Sequence, residues 1–136
     1  MVKNRSMPPG TVIPEIPYPD VRQAAEWLSR TFGFKERLRI RNHRIQLTFG
    51  EGSIVVTSQI GEPSPRNSIM VRVENADAHY QQAKNRGAKI LQPPTDYPFG
   101  ERQYTAQDLA GHTWTFSQTI ADIDPSEWGG ELVGPS

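Results

Sequence analysis

The sequence predicts an α+β fold built from two β-α-β-β-β modules, and three observations carry that expectation. The order strand, helix, three strands is written twice along the 136 residues. A helix-capping residue stands at the same place in each copy, Asp20 in the first and Asn75 in the second. Both helical patterns run out at a glycine, Gly33 and Gly87, before shorter strand-like runs begin. Superposing Asp20 on Asn75 lays Ile13 on Ser68, and superposing Gly52 on Gly111 lays Val56 on Thr115, so the chain reads as an internal duplication.

In module 1, residues 11–60, TVIPEI (11–16) is short, β-branched and closed by Pro17 and Pro19. The carboxylate of Asp20 can accept from the free amides of a first helical turn. Val21, Ala24, Ala25, Leu28 and Phe32 recur at three- and four-residue spacing, an apolar stripe that a sheet would cover. Gly33 ends the helix. ERLRI (36–40), RIQLTF (44–49) and SIVVTS (53–58) follow as strands, parted by Asn42-His43 and by Gly50-Glu51-Gly52. The proline-rich run 61–67 is a linker.

Module 2, residues 68–118, begins with SIMVRV (68–73) and continues into a helix with Ala76, Tyr80 and Ala83 on one side. KILQ (89–92) is a strand and PPTDYPFG, with three prolines, a loop. ERQYTAQ and HTWTFSQ close the module, and residues 119–136 form a tail. The whole, 1–136, has the length of one domain.

Fifteen basic residues balance fifteen acidic ones, which removes the broad positive field that gathers nucleic acid. The chain has no cysteine, and hence neither disulfides nor thiolate chemistry. Its first residues lack the apolar run of a signal peptide, and no apolar stretch has the length a membrane crossing needs. A cytoplasmic, soluble protein is expected, without nucleic acid or membrane as partner.

RTFGF (30–34), VRVENADAHYQQAKNRGAKI (71–90), and YPFGERQYTAQDLAGHTWTF (97–116), with its D-x-x-G turn at 108–111, together resemble the vicinal oxygen chelate superfamily of glyoxalases, extradiol dioxygenases and bleomycin-resistance proteins. The resemblance spans roughly residues 11–120. It implies curved, mostly antiparallel sheets forming a cup, with the helices outside, and a homodimer. Metal-dependent members bind an ion through the first and last strands of each module, usually with His or Gln from the former and Glu from the latter. Carried over, those places are Ile13, Val56, Ser68 and Thr115. A divalent cation needs converging imidazole, carboxylate or thiolate donors, which these residues do not supply. No metal and no cofactor are therefore expected.

His112 lies three residues before Thr115 and so faces away from that place. It reads as a residue at the exposed mouth of a strand, replaceable by alanine with little effect on stability. His43, in a turn, and His79, on a helix, are judged likewise. Trp114 and Phe116 share the parity of core residues, opposite to Thr113 and Thr115. Lys35, Arg37, Arg39, Arg41 and Arg44 form a basic stripe, either a solvated face or an anion site.

The expected ligand-binding residues follow from strand alternation. Glu15, Arg44, Gln46, Arg72, Thr113 and Thr115 form a polar wall, Met70 and Val56 part of the lining, and Phe99 and Tyr104 a lid. Glu15 and Arg72 each project a charge on the cup side and are candidates to pair with one another. The function expected is binding of a small anionic or aromatic organic ligand without metal and with no catalytic residue assigned. Open alternatives are a lyase, isomerase or dioxygenase, with displaced metal ligands or metal-free with Glu15 as base, and a dimeric scaffold without ligand.

Overall fold

The computed structural model describes residues 4–59 and 68–131. These fall into two compact units, residues 4–59 with the turn 109–111, and residues 68–108 with 112–131. Each unit holds one strand-helix-three-strand module. The expected linker at 61–67 and the end of the tail lie outside the described residues.

In the first unit, β1 (Glu15–Tyr18) leads through Asp20 into α1 (Val21–Phe32), followed by β2 (Lys35–Ile40), β3 (Arg44–Phe49) and β4 (Gly52–Ser58). Asp20 accepts a hydrogen bond from the Gln23 amide at 3.0 Å, and Gly33 closes the helix in the left-handed region at φ 90°. The sheet order is β1-β4-β3-β2, with β1 parallel to β4 and the other pairs antiparallel. Val21, Ala24, Ala25, Leu28 and Phe32 are all buried, as their spacing requires, and the strands present Ile16, Tyr18, Ile45, Leu47, Ile54 and Val56 as the rest of that core.

β1 starts later than the pattern TVIPEI implies and contains Pro17. An edge strand tolerates a proline because one side of its backbone has no ladder partner.

The second unit repeats the plan: β5 (Ser68–Arg72), α2 (Ala76–Asn85), β6 (Lys89–Tyr97), β7 (Glu101–Gln107) and β8 (Thr113–Thr119), in the order β5-β8-β7-β6. Asn75 caps α2 by accepting from the Ala78 amide at 3.0 Å, and Gly87 takes φ 101° just beyond its end. The stretch expected as a loop, PPTDYPFG, is instead mostly strand. β6 runs to Tyr97, and its register shifts between Ile90 and Gln92 and again between Gln92 and Thr95. β6 is an edge strand, so the irregular pairing accommodates Pro93 and Pro94 without breaking a central ladder.

A short 3-10 turn (Pro125–Trp128) lies in the tail, where Trp128 meets Phe99 with ring centroids 5.5 Å apart. No helix among the described residues is long and apolar enough to cross a membrane.

Candidate functional site

Direct cross-strand partners share a face of their sheet, which fixes what each module presents on the side away from its helix, called here the far face. In module 1 the pairs Ile16 with Val56 and Ile45 with Val56 belong to the helix side. Glu15 with Val55, Gln46 with Val55, and Thr48 with Ser53 therefore belong to the far face. Val56 is 0% exposed in the core beneath α1 and lines no cup. The superposition of Gly52 on Gly111 is one residue out: Glu15 and Met70 stand five residues before the caps Asp20 and Asn75, and Glu15 pairs with Val55 whereas Met70 pairs with Thr115. A one-residue slip exchanges the faces of a strand. The residue of module 1 that corresponds to Thr115 is Val55.

Glu15 and Arg44 stand together on this far face, 2.5 Å apart, as a partly exposed ion pair. Arg44, not Arg72, is thus the partner of Glu15. Gln46 is 5% exposed; its Oε1 accepts from Arg37 Nη1 at 2.6 Å and its Nε2 donates to the Ser6 carbonyl at 2.8 Å. The basic stripe does not form a single face: Arg37 reaches Gln46 on the far side, whereas Arg39 pairs with Glu36 across from the helix-side residues Ile45 and Leu47. The register shift between Glu36 and Leu38 divides them.

In module 2 the pairs Met70 with Thr115 and Arg72 with Ser117 lie on the far face, together with Thr113 opposite Ser68. β7 adds Glu101, Gln103 and Thr105 through their partners Thr119, Ser117 and Thr115. A polar network joins them. Ser117 Oγ donates to Glu101 Oε1 at 2.6 Å, Gln103 Nε2 donates to Ser117 Oγ at 3.0 Å, and Arg72 Nη1 donates to Thr119 Oγ1 at 3.4 Å. The hydroxyls of Thr105 and Thr115 are 3.3 Å apart. Burial works to raise the pKa of Glu101, but hydrogen bonds from Ser117 and Thr119 and the charge of Arg72 together outweigh it, and the carboxyl is held below the usual glutamate range. Beside this network Met70 is 64% exposed, an apolar side chain next to fixed donors and acceptors.

Of the residues expected in the ligand wall, Met70, Arg72, Thr113 and Thr115 share this far face. Glu101, Gln103 and Ser117 were missed. The signal was present in the alternation of ERQYTAQ, which puts Glu101, Gln103 and Thr105 on one side and Tyr104 and Ala106 on the other.

The lid assignment fails for Tyr104. It is 0% exposed under α2, its hydroxyl hydrogen-bonds the His79 ring, and its ring stacks on Phe116 with centroids 5.1 Å apart. Burial pushes its pKa well above the ordinary tyrosine value. Tyr104 sits in β7 rather than in a loop, so strand parity, not loop exposure, sets its direction. Phe99 does sit at the β6–β7 turn, half-buried between Tyr97 and Trp128.

His112 is not at an exposed mouth. It is 5% exposed, and its backbone is pinned by Asp108: the His112 amide donates to Asp108 Oδ1 at 3.0 Å and the Asp108 amide to the His112 carbonyl at 3.0 Å. Asp108 Oδ2 also accepts from Trp114 Nε1 at 3.0 Å. The D-x-x-G turn thus carries a buried carboxylate that orients the last strand. His79 is likewise structural, its ring 4.2 Å from that of Phe116.

With Val55 restored to its proper place, the four positions that would hold a metal carry Ile13, Val55, Ser68 and Thr115. Two aliphatic side chains and two hydroxyls do not fit a divalent cation. Among the described residues no three His, Cys, Asp or Glu side chains gather into a group that could hold one.

Residues 11–116 match the family model of the Glyoxalase/Bleomycin resistance protein/Dioxygenase superfamily. The chain belongs to this superfamily. Among solved structures similar to it, TioX from Micromonospora sp. ML1 is 31% identical with a TM-score of 0.71, covering 82% of this chain and 99% of that one. TnmS3, an antibiotic-binding protein from Streptomyces sp. CB03234, is 20% identical with a TM-score of 0.67, covering 79% and 93%. A superfamily protein from Nocardioides is 17% identical with a TM-score of 0.70 and covers 98% and 93%. At these identities the latter two speak for the fold. An uncharacterised protein of Mycobacterium bovis is 31% identical over 78 residues, 57% of this chain and 49% of its own length. The match spans about half of that relative.

Proposed function

We propose that this member of the superfamily binds a small organic molecule with aromatic and anionic groups, without a metal, on the far face of β5, β8 and β7. The observation that carries the reading is the arrangement of that face. Where metal-dependent relatives place ligands it offers Ser68 and Thr115, and beside them Arg72, Gln103, Thr113 and the exposed Met70 provide oriented polar groups next to apolar surface. A guanidinium grips a carboxylate through two parallel hydrogen bonds, while threonine hydroxyls adapt as donor or acceptor. A few fixed polar groups beside an apolar contact are the usual makeup of a small-molecule site. That a structural neighbour, TnmS3, is described as antibiotic-binding supports sequestration in place of turnover. The chain is further proposed to act as a cytoplasmic homodimer.

The enzymatic alternatives need a base. Glu15 is engaged by Arg44 and Glu101 by Ser117, which favours binding over catalysis. The test is a panel of aromatic carboxylates and antibiotics screened by thermal shift in metal-free buffer, then titrated by calorimetry. At least one compound should bind saturably and be recovered unchanged. Binding only after a divalent metal is added, or conversion of the bound compound, would overturn the reading.

A further inference from the structure

The far face of module 1 is already covered by the chain's own N-terminal segment. Residues 4–10 cross β2, β3 and β4, and the contacts run in one sense, from sheet side chains to backbone carbonyls of the segment. Arg37 Nη2 donates to the Arg5 carbonyl at 2.8 Å, Gln46 Nε2 to the Ser6 carbonyl at 2.8 Å, and Ser53 Oγ to the Pro9 carbonyl at 2.5 Å. Between those anchors Pro8 is buried, and on the same face of the sheet Val55 is 5% and Ser53 6% exposed. Gly10, at φ 109°, comes close to the backbone of Glu51 and Ser53. Met7-Pro8-Pro9 is stiff by composition, since a proline fixes its own φ and restricts the residue before it.

None of these contacts reads a charged or otherwise distinctive side chain of the segment. Three side-chain donors take three carbonyls of a segment whose start is a turn, closed by the Met7 amide on the Asn4 carbonyl at 3.3 Å, and the proline that follows is buried, so the face holds main chain and not particular side chains. The two ion-pairing residues of this face, Glu15 and Arg44, engage one another and leave the donors to the segment.

We propose that the far face of module 1 is a binding site for a short peptide that presents backbone carbonyls from a turn followed by a proline, and that residues 4–10 are its built-in, displaceable occupant. Tethering gives the segment an effective concentration on the order of millimolar, so an outside peptide competes only when it binds more tightly or when the segment is lifted. The site uses Arg37, Gln46 and Ser53 and is independent of the small-molecule reading of module 2.

The experiment uses a variant that starts at Thr11 after the initiator methionine, and the acetylated, amidated peptide Asn-Arg-Ser-Met-Pro-Pro-Gly as probe. The shortened protein should bind the peptide saturably, the full chain should bind it about tenfold more weakly or worse, and Arg37→Ala in the shortened protein should weaken it about tenfold, the loss of one charged hydrogen bond. A folded shortened protein that takes up no peptide at about 1 mM, the scale of the tethered segment, overturns the proposal. If the shortened protein does not fold, spin labels at Met7→Cys and Glu26→Cys in the full chain decide. The native chain should show one narrow distance that broadens in Arg37→Ala/Ser53→Ala with secondary structure unchanged. A broad distribution in the native chain, or a narrow one that survives both substitutions, overturns it.

Discussion

Replacing Asp108 by alanine should destabilise the second unit more than any other single change in a turn. Asp108 is 7% exposed and accepts from two donors that cannot find water, the His112 amide and Trp114 Nε1. A buried donor left without an acceptor costs about 1 to 3 kcal/mol, so the two together give about 2 to 6 kcal/mol for Asp108→Ala. Asp108→Asn keeps one carbonyl oxygen and turns an amide group toward the other donor, and should cost about half as much. The loss is a large part of the 5 to 15 kcal/mol by which domains of this size are typically stable, so urea unfolding is the suitable assay. The Trp114 indole N–H resonance adds a local readout, since it should move on losing its partner. If Asp108→Ala unfolds within about 0.5 kcal/mol of the native chain, the span of an ordinary surface change, the carboxylate does not organise the turn and the reasoning is wrong.

Arg72→Ala should weaken an anionic ligand of module 2 by about 1.5 to 3 kcal/mol, read by calorimetry, while moving the unfolding midpoint little because Arg72 is exposed; equal affinity in both proteins would move the site elsewhere. Gly100→Ala should cost about 2 kcal/mol or more in urea unfolding, because φ is 86° and an added Cβ would land on the Ala121 carbonyl oxygen; an unperturbed midpoint would count against the packing of the β6–β7 turn on the tail. His112→Ala, expected from sequence to be silent, should now destabilise by about 1 to 3 kcal/mol through the void it leaves, checked by the same assay. The Glu101 carboxyl has its pKa lowered in the folded state, so its contribution to stability is complete above the ordinary glutamate value of about 4.3 and fades as pH falls below it. Glu101→Gln should flatten that acid limb of the stability profile, and a profile unchanged by the substitution would show the carboxylate to be idle.

The repeat, both helices, their caps and most of the residues they bury were legible in the sequence because each rests on local chemistry, although Tyr80, expected beside Ala76 and Ala83, stays partly exposed. Asp20 and Asn75 cap from three residues away, and the stripe from Val21 to Phe32 needs only the helical period. The direction of Met70, Arg72, Thr113 and Thr115 was equally legible, since alternation along one strand requires no knowledge of its neighbours. What failed was whatever depends on pairing. Val56 was assigned to the wrong face because the offset between two turns is set by where β4 and β8 join their partners, not by the glycines. Tyr104 was taken for a lid because it follows an aromatic turn, whereas its pairing with Phe116 puts it on the helix side of β7; Pro93 and Pro94 looked like loop residues, and only an edge position with shifted register lets them lie in β6. His112 looked exposed until Asp108, four residues back, folded over its amide. The cover that residues 4–10 place on Gln46 and Ser53 could not be read from composition, because its bonds join residues about forty apart in the chain and use backbone carbonyls, which every sequence possesses alike. Local periods and caps belong to the sequence by itself. Registers, edges and long-range carbonyl contacts exist only once the tertiary structure has chosen which strands meet.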